Sequence, residues 1–174
     1  MTDKQQKILA VALELFANEG YNAVSTNMIA KQAGVSEALI FRHFQSKQGL
    51  LDALYNQVEQ KVAEIGMHIL NEVDPKSIIS KAIDVPFSVQ EKDYDFWRLQ
   101  YKLKWNEAYY NPDKMKPFKD KSAWAFTELG YEQPELEAAI LQKTLDSIMI
   151  DILREGNASQ LPLKEFLLKK YSLL

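Results

Sequence analysis

Four residues that could cap helices or bind nucleic acid lie within residues 25–47, STNMIAKQAGVSEALIFRHFQSK: Ser25, Ser36, Arg42 and Lys47. Ser25 and Ser36 each precede a short run of periodic apolar residues, where a serine hydroxyl can accept a backbone N–H bond and begin a helix. Arg42 and Lys47 supply cations, since a guanidinium can donate two hydrogen bonds to guanine and an ammonium can lie against a phosphate. These residue types indicate helix capping and nucleic-acid contact. The alternatives are capping alone for the serines and solvated surface charge for the cations.

The surrounding pattern predicts two short helices joined by a tight turn. The first begins after Ser25 and ends at Gly34, because glycine accepts the left-handed conformation common at helix C-termini. The second begins after Ser36, and only Val35 separates it from the glycine. Two short helices around a glycine turn are typical of the helix-turn-helix motif, whose second helix presents its N-terminal residues to the DNA major groove.

Sequence blocks around this motif resemble the N-terminal domain of the TetR family of ligand-responsive repressors. The blocks are ILAVALELFANEGYNAVS, IAKQAGVS and FRHFQSKQGLL, and together they cover about the first 55 residues without gaps. The resemblance implies an all-α chain with a three-helix DNA-binding domain at 1–46 and a helical ligand-binding and dimerisation domain at 47–174. The DNA-contacting positions that it implies are Ser25, Thr26, Ser36, Glu37, Ala38, Leu39, Phe41, Arg42, His43 and Lys47.

Three positions in the second short helix depart from the family's pattern. Where the family commonly has a lysine, a glycine and a tyrosine, this chain has Glu37, Ala38 and Phe41. One cation and one phenolic phosphate contact are therefore missing. Leu39 is a candidate for contact with thymine methyl groups, with exposed packing as the alternative. The departures support a second hypothesis, a helical protein-interaction module that no longer binds an operator.

Apolar residues recur every three or four positions along the rest of the chain, which predicts helices throughout. With the two short helices, this gives about nine helices and no strands. The long fourth helix begins in the DNA-binding domain and ends in the body, so it is expected to link them, although a plain core helix has the same pattern. Pro86 and Asn111-Pro112 are expected to end the helices that precede them. The other helices are expected over residues 3–18, 47–71, 74–84, 93–110, 113–129, 134–155 and 162–171.

Aromatic residues concentrate in DYDFWRLQYKLKWNEAYY, residues 93–110, where they repeat every four positions. Aromatic side chains with a few polar groups line many small-ligand pockets, although the same residues could fill a core. In the resembled family the middle helices enclose an effector cavity, which implies a site for a small apolar or amphipathic effector. The predicted lining residues are Ile65, His68, Trp97, Tyr101, Trp105, Tyr109 and Trp124.

The last two helices carry more apolar residues than one inward face can use. Exposed apolar surface of that extent marks interfaces, and most soluble oligomers are symmetric. We therefore predict a two-fold homodimer. The predicted interface residues are Leu141, Leu145, Ile148, Ile152, Phe166 and Leu167.

Composition and charge restrict the remaining possibilities. The 174 residues are 47% hydrophobic and include no cysteine, which excludes disulfides and cysteine-ligated zinc. The net charge of −3 argues against DNA binding by bulk electrostatics. Residues 1–50 nevertheless carry five basic and four acidic groups, whereas residues 132–155 carry two basic and six acidic groups. This distribution favours a modest, site-restricted DNA contact by the N-terminal part of the chain.

Motifs for catalysis and for membrane insertion are missing from the sequence. There is no Gly-x-Ser-x-Gly, no glycine-rich phosphate loop and no His-Glu-x-x-His. His43 and His68 lie on different predicted helices without clustered carboxylates, so no metal, no cofactor and no enzymatic activity are expected, and an enzyme that uses the body cavity is the third hypothesis. No window reaches the ~18 apolar residues of a membrane span, and a cytoplasmic protein is expected. The combined expectation is a repressor that releases a palindromic operator when its effector binds.

Overall fold

The computed structural model describes residues 1–104, 106–111 and 113–174. Over these residues the chain forms nine α-helices and two short 3-10 helices, with no strand, so the all-α prediction is confirmed. No helix in this described part is both long and apolar enough to cross a membrane. The α-helices are α1 (Asp3–Asn18), α2 (Thr26–Ala33), α3 (Glu37–Phe44), α4 (Lys47–Leu70), α5 (Pro75–Phe87), α6 (Tyr94–Leu103), α7 (Lys116–Glu128), α8 (Pro134–Glu155) and α9 (Leu161–Lys170).

The chain packs as two compact units. The first unit comprises Met1–Lys61 and Lys92–Tyr110, and the second comprises Val62–Glu91 and Asn111–Leu174. Helix α4 runs without a break from the first unit into the second. Helix α6 belongs with the N-terminal helices in this division. The functional boundary between residues 46 and 47 stays a prediction.

The core of the first unit is built on the apolar stripe of α1. Ile8 and Phe16 are fully buried, as are Ile29 of α2 and Ile40 of α3. Leu99 of α6, a helix that packs against α1, joins the same cluster. Each such side chain stabilises the fold by roughly 1.5–3 kcal/mol through burial. The two short helices, too short to be stable alone, therefore owe their position to this shared core.

The second unit is built from α5, α7, α8, α9 and the last part of α4. Phe126 of α7 is fully buried, and its ring lies 5.0 Å from that of Tyr131 and 5.1 Å from that of Tyr171. A Cβ added to Gly66 of α4 would lie only 2.2 Å from the Phe118 ring of α7. Glycine therefore allows α4 and α7 to pack closely within this unit.

Two of the predicted helix ends are wrong. Helix α5 passes through Pro86 and continues to Phe87. A proline so near the C-terminus removes one backbone hydrogen bond, while the N–H of Ser88 still donates to the carbonyl of Asp84 at 3.0 Å. Burial of Pro86 and of Phe87, which is 8% exposed, offsets that loss.

Helix α6 ends at Leu103, well before Asn111-Pro112. The N–H of Asn106 donates to the carbonyl of Leu103 at 3.0 Å, and the N–H of Tyr109 donates to that of Asn106 at 2.9 Å. The Asn106 side chain also accepts a bond from the N–H of Ala108 at 3.0 Å. Asparagine side chains offer the backbone such local turns as an alternative to helix. Tyr109 is consequently not on α6.

Candidate nucleic-acid interface

Helices α2 and α3 form a helix-turn-helix unit with local bonds at each helix start. The hydroxyl of Ser25 accepts a hydrogen bond from the N–H of Met28 at 3.1 Å, and that of Ser36 accepts one from the N–H of Leu39 at 3.3 Å. Gly34 ends α2 at φ 65°, the left-handed conformation that favours glycine. The structure therefore contains the two caps and the glycine turn inferred from the sequence.

Helix α3 has one buried face and one free face. Ile40 is fully buried and fixes the helix to the core, and Leu39 is half-buried beside it. Ala38, Phe41 and Arg42 are exposed, with Phe41 at 46%. The free face thus offers one methyl group, one aromatic ring and one guanidinium. A guanidinium can bind guanine or a phosphate, and apolar groups can contact thymine methyls.

Glu37, at the start of α3, is bonded to the start of α2. The hydroxyl of Thr26 donates to the Glu37 carboxylate at 2.5 Å, and both side chains are half-buried. The carboxylate also lies in the first turn of α3, where the helix dipole favours negative charge. The bond ties the N-termini of the two helices together. DNA contact by Thr26 and Glu37 stays a prediction.

His43, on the last turn of α3, faces α1. Its Nδ1 lies 3.4 Å from the side-chain nitrogen of Gln5, and its ring meets that of Phe44 edge-on at 6.2 Å. The imidazole therefore joins α1 to α3. Over residues 1–104, 106–111 and 113–174, no three His, Asp or Glu side chains cluster closely enough to hold a metal ion.

Lys47 is the first residue of α4 and lies against an aromatic ring. Its Nζ is 4.2 Å from the centroid of Tyr21, a favourable cation–π distance. Partial burial lowers the pKa of Lys47. Lys7 of α1 places another ammonium by the α2–α3 turn, since its Nζ lies 3.7 Å from where a Cβ on Gly34 would be. Sequence reasoning missed Lys7, because α1 and the turn are distant in the chain.

The junction between α3 and α4 depends on Gly49, which sequence reasoning also missed. A Cβ on Gly49 would lie 1.9 Å from the carbonyl oxygen of Phe44, so only glycine lets the end of α3 approach α4 this closely. Gln45 between the helices adopts φ 66°. The hydroxyl of Ser46 accepts a bond from the N–H of Gly49 at 2.9 Å. A glycine within a helical pattern was the available signal, because such a residue often has a packing reason.

Comparison with known proteins decides the family. The model described as "Bacterial regulatory proteins, tetR family" matches residues 8–54, which span α1 to the start of α4. Residues 8–54 are therefore an N-terminal domain of the TetR family. This family consists of transcriptional regulators and not of enzymes.

Curated relatives match this chain over different lengths. The HTH-type transcriptional regulator YvkB of Bacillus subtilis (strain 168) is 47% identical over 57 residues, which make up 33% of this chain and 30% of YvkB. Two further curated regulators match over 35% and 45% of their own lengths. The chain therefore spans less than half the length of each of these three relatives.

Solved structures of TetR-like proteins share the whole fold. A TetR-like transcriptional regulator from Rhodococcus sp. RHA1 has a TM-score of 0.77 at 18% identity, covering 98% of this chain and 92% of that one. A transcriptional regulator from Saccharomonospora viridis, solved in complex with choline, has a TM-score of 0.70 at 20% identity, covering 99% and 95%. At these identities the likeness concerns the fold alone.

The predicted effector residues of the first unit do not form one helical ladder. Trp97 is 7% exposed and Tyr101 is half-buried, both on α6. Trp105 lies outside the described residues. Tyr109 lies in the turn after α6, so the expected four-residue repeat along one helix is wrong for this position. Gln100 beside Trp97 was missed, although it is 8% exposed and its Oε1 has no hydrogen-bond partner among the described residues.

The other predicted effector residues belong to the second unit. Ile65 is half-buried and His68 is exposed on α4. Trp124 is 41% exposed on α7, and the Nζ of Lys121 lies 5.0 Å from its ring. A groove of about 420 Å³ lies in the first unit, between the α1–α2 loop and α6. None of the predicted effector residues lines this groove.

Most of the predicted interface residues are buried inside the second unit. Leu141, Ile148, Ile152 and Leu167 are each 6% exposed or less, so they belong to the core of the protomer and not to a free surface. The inward stripe of an amphipathic helix and its outward apolar residues look alike in sequence. Leu145 is half-buried, and Phe166 is 62% exposed. The exposed apolar side chains on α8 and α9 are Leu136, Ile140, Ile150, Leu161, Leu163 and Phe166.

Proposed function

We propose that this protein regulates transcription by binding a two-fold symmetric DNA operator, and that it represses the adjacent gene until a small effector releases it. The free face of α3 carries this proposal. Its buried face is fixed by Ile40, its start is bonded to α2 and its end to α1, which leaves Ala38, Phe41 and Arg42 facing outward. A helix held in this way can enter the major groove as a rigid body.

Cations around α3 support the same surface. Arg42 lies on its exposed face, Lys47 begins the next helix and Lys7 lies at the turn before it. The N-terminus of α2, capped by Ser25, adds backbone N–H groups of the kind that bind phosphate. Phosphate contacts at such points fix the orientation of the protein on the duplex, while the α3 side chains contact the bases.

A second copy of the chain is the proposed partner of α8 and α9. The exposed apolar side chains of these helices include Leu136, Ile140 and Ile150, which recur on one face of α8, and Phe166 on α9. Exposed apolar residues grouped in this way mark interfaces. A two-fold dimer would present two copies of α3 to half-sites about 34–36 Å apart, one turn of DNA.

The effector site is proposed beside α6. Trp97 and Gln100 are both more than nine-tenths buried there, and the Oε1 of Gln100, which has no partner among the described residues, calls for a hydrogen-bond donor. An effector that donates to this oxygen and covers the indole would be amphipathic. The Saccharomonospora viridis protein in complex with choline supports a small-molecule effector. Release of DNA then requires that the effector favour one orientation of α4, since equal affinity for both states shifts nothing.

Selection of DNA from a random-sequence library, followed by titration of the selected duplex, tests the function. Arg42→Ala and Lys47→Ala should each weaken binding, and the Lys47 variant should do so about equally for every duplex. Arg154→Ala, which removes an exposed arginine from α8, is the matched control and should bind as the parent does. If the parent enriches no sequence and binds no duplex at low salt, the protein-interaction hypothesis replaces this one.

Sedimentation tests the proposed dimer. Ile140 is 55% exposed, so Ile140→Asp should leave each protomer folded and yield monomers that bind the selected duplex weakly. Val73→Asp, at a position 77% exposed outside α8 and α9, is the control and should stay dimeric. If the parent protein sediments as a monomer at micromolar concentration, the proposed dimer and the predicted spacing of the half-sites are both wrong.

A further inference from the structure

Tyr109 connects the turn after α6 to the first two turns of α4 by hydrogen bonds. Its hydroxyl donates to the carboxylate of Asp52 at 2.5 Å and accepts from the side-chain amide of Gln48 at 2.5 Å. Its ring lies 4.5 Å from that of Tyr55. All four residues belong to the first unit. A segment distant in sequence is thus bonded to the helix that begins at Lys47.

The hydrogen bonds around Tyr109 form one connected network, in which the donor and the acceptor of each bond are fixed. The hydroxyl of Tyr21 donates to Oε1 of Gln48 at 3.2 Å, and Nε2 of Gln48 donates to both Tyr109 and Asp52, the latter at 2.9 Å. An ionised carboxylate only accepts, so the amide nitrogen must face Asp52 and the amide oxygen must face Tyr21. The hydrogen bonds then all run from Tyr21 toward Asp52, and hydrogen bonds aligned in this way strengthen one another.

Tyr21, at one end of this hydrogen-bond network, contacts Lys47, a cation of the proposed DNA surface. Tyr21 packs on the buried ring of Phe16 at 5.3 Å and supports the Lys47 ammonium at 4.2 Å from its own ring. The position of the Tyr21 ring is therefore set by Phe16 on one side and by the bond to Gln48 on the other. A long lysine side chain normally has many rotamers, and this ring restricts them.

We propose that Tyr109 is a positioning residue for DNA binding, which holds the Lys47 ammonium toward a phosphate through Gln48 and Tyr21. The inference rests on the proposed function. It gives the turn after α6 an indirect part in DNA affinity, although Tyr109 lies more than sixty residues along the chain from α3. A group held in place binds more tightly than a mobile one, because less side-chain entropy is lost on binding.

The test is a double-mutant cycle on the full chain with a mixed-sequence duplex and with the selected duplex. Tyr109→Phe keeps the ring on Tyr55 and removes the hydroxyl. It should weaken binding about threefold to tenfold in the parent and have no further effect in Lys47→Ala, because its action passes through Lys47. Tyr110→Phe is the matched control, since Tyr110 is 65% exposed, and it should bind like the parent.

Salt dependence separates positioning from a merely structural role. Loss of the Lys47 contact from both protomers should reduce the slope of log K against log salt by about 1.8, since each phosphate contributes about 0.9. Tyr109→Phe should reduce the slope in the same direction. If Tyr109→Phe weakens binding equally with and without Lys47, or leaves affinity and slope unchanged, the positioning role is overturned while the proposed function stands.

Carbon-13 NMR of the methylated lysines tests the position of Lys47 in the absence of DNA. The Tyr21 ring should shift the Lys47 signal upfield, and Tyr109→Phe should move it toward the signals of exposed lysines. An unchanged signal overturns the inference even if DNA binding falls. A parent that binds no duplex overturns the proposed function and, with it, the DNA part of this inference, and the NMR signal then decides separately whether Tyr109 holds Lys47.

Discussion

Replacing Gly49 by alanine tests the tight junction between α3 and α4. Gly49 lies in the first turn of α4, where alanine is ordinarily the better helix former by roughly 1 kcal/mol. The structure predicts the opposite sign. The new Cβ would lie 1.9 Å from the carbonyl oxygen of Phe44 and 3.1 Å from its carbonyl carbon, and both are backbone atoms that cannot rotate away.

The size of the effect follows from the required movement. To reach an ordinary contact of 3.4 Å, the end of α3 and the start of α4 must separate by about 1.5 Å. Overpacking of a well-packed site typically costs about 1–3 kcal/mol, and a backbone clash belongs to the upper part of that range. After the gain in helix propensity, Gly49→Ala should lose about 1–2 kcal/mol of stability. For a chain of this length, that lowers Tm by roughly 2–8 °C.

Thermal unfolding and DNA titration measure this prediction together. The shift displaces the free face of α3 relative to Lys47, so affinity for the selected duplex should fall about tenfold or more, because a bidentate pair between a side chain and a base is worth about 1–3 kcal/mol. Gly66→Ala in the same helix makes the same chemical change, but its Cβ meets the tip of the Phe118 ring, and it should leave DNA affinity intact. A Gly49→Ala protein that melts higher than the parent and binds DNA equally well refutes the reasoning.

Three further perturbations follow from single contacts. Glu37→Gln keeps an acceptor for Thr26 but removes a negative charge beside α3, so it should tighten DNA binding at low salt, as anisotropy titration will show. Gln100→Leu removes a buried oxygen that has no partner in the described part of the chain, so it should raise Tm and abolish any effector response; an unchanged Tm would argue that the oxygen is hydrated. Lys81 and the N–H groups of Asp74 and Val73 hold the pKa of Glu72 at about 2, below its ordinary value of 4.5. Such a depressed pKa stabilises the fold above pH 4.5, and the effect is lost as the pH falls toward 2. The difference in Tm between the parent and Glu72→Gln should therefore shrink over that range.

Local signals in the sequence predicted most of the helices. Ser25, Ser36 and Asp74 each cap a helix whose start was inferred from that residue type, and Gly34 ends α2 as expected. Such signals act within a few residues, so they are visible without the fold. The helix ends predicted at Pro86 and at Asn111-Pro112 were wrong because the actual ends are not set by such local signals. Burial of Pro86 and the turn formed by Asn106 depend on packing and on side-chain geometry, which the periodicity does not contain.

Contacts between distant segments could not be predicted from one sequence. The predicted interface residues Ile148 and Ile152 lie on the buried stripe of α8, whereas Ile140 and Ile150 lie on its exposed face. All four are isoleucines on one helix, and only the packing of α8 in the second unit distinguishes them. The bond of Tyr109 to Asp52 is equally invisible, since fifty-seven residues separate the two.

The small number of free side chains on α3 decides what kind of DNA binding this chain can have. Arg42 is the one cation on that helix, and Glu37 is bonded to Thr26 instead of supplying the cation that the family commonly has there. With Arg42, Lys47 and Lys7 from each protomer of a dimer, at most about six phosphates would be contacted by cations, which gives a salt slope no steeper than about −5.4. Such a protein gains little from charge alone. Its affinity must depend on how rigidly those few groups are held, which is why the contacts of Gly49 with Phe44 and of Tyr109 with α4 should matter as much as the contact residues themselves.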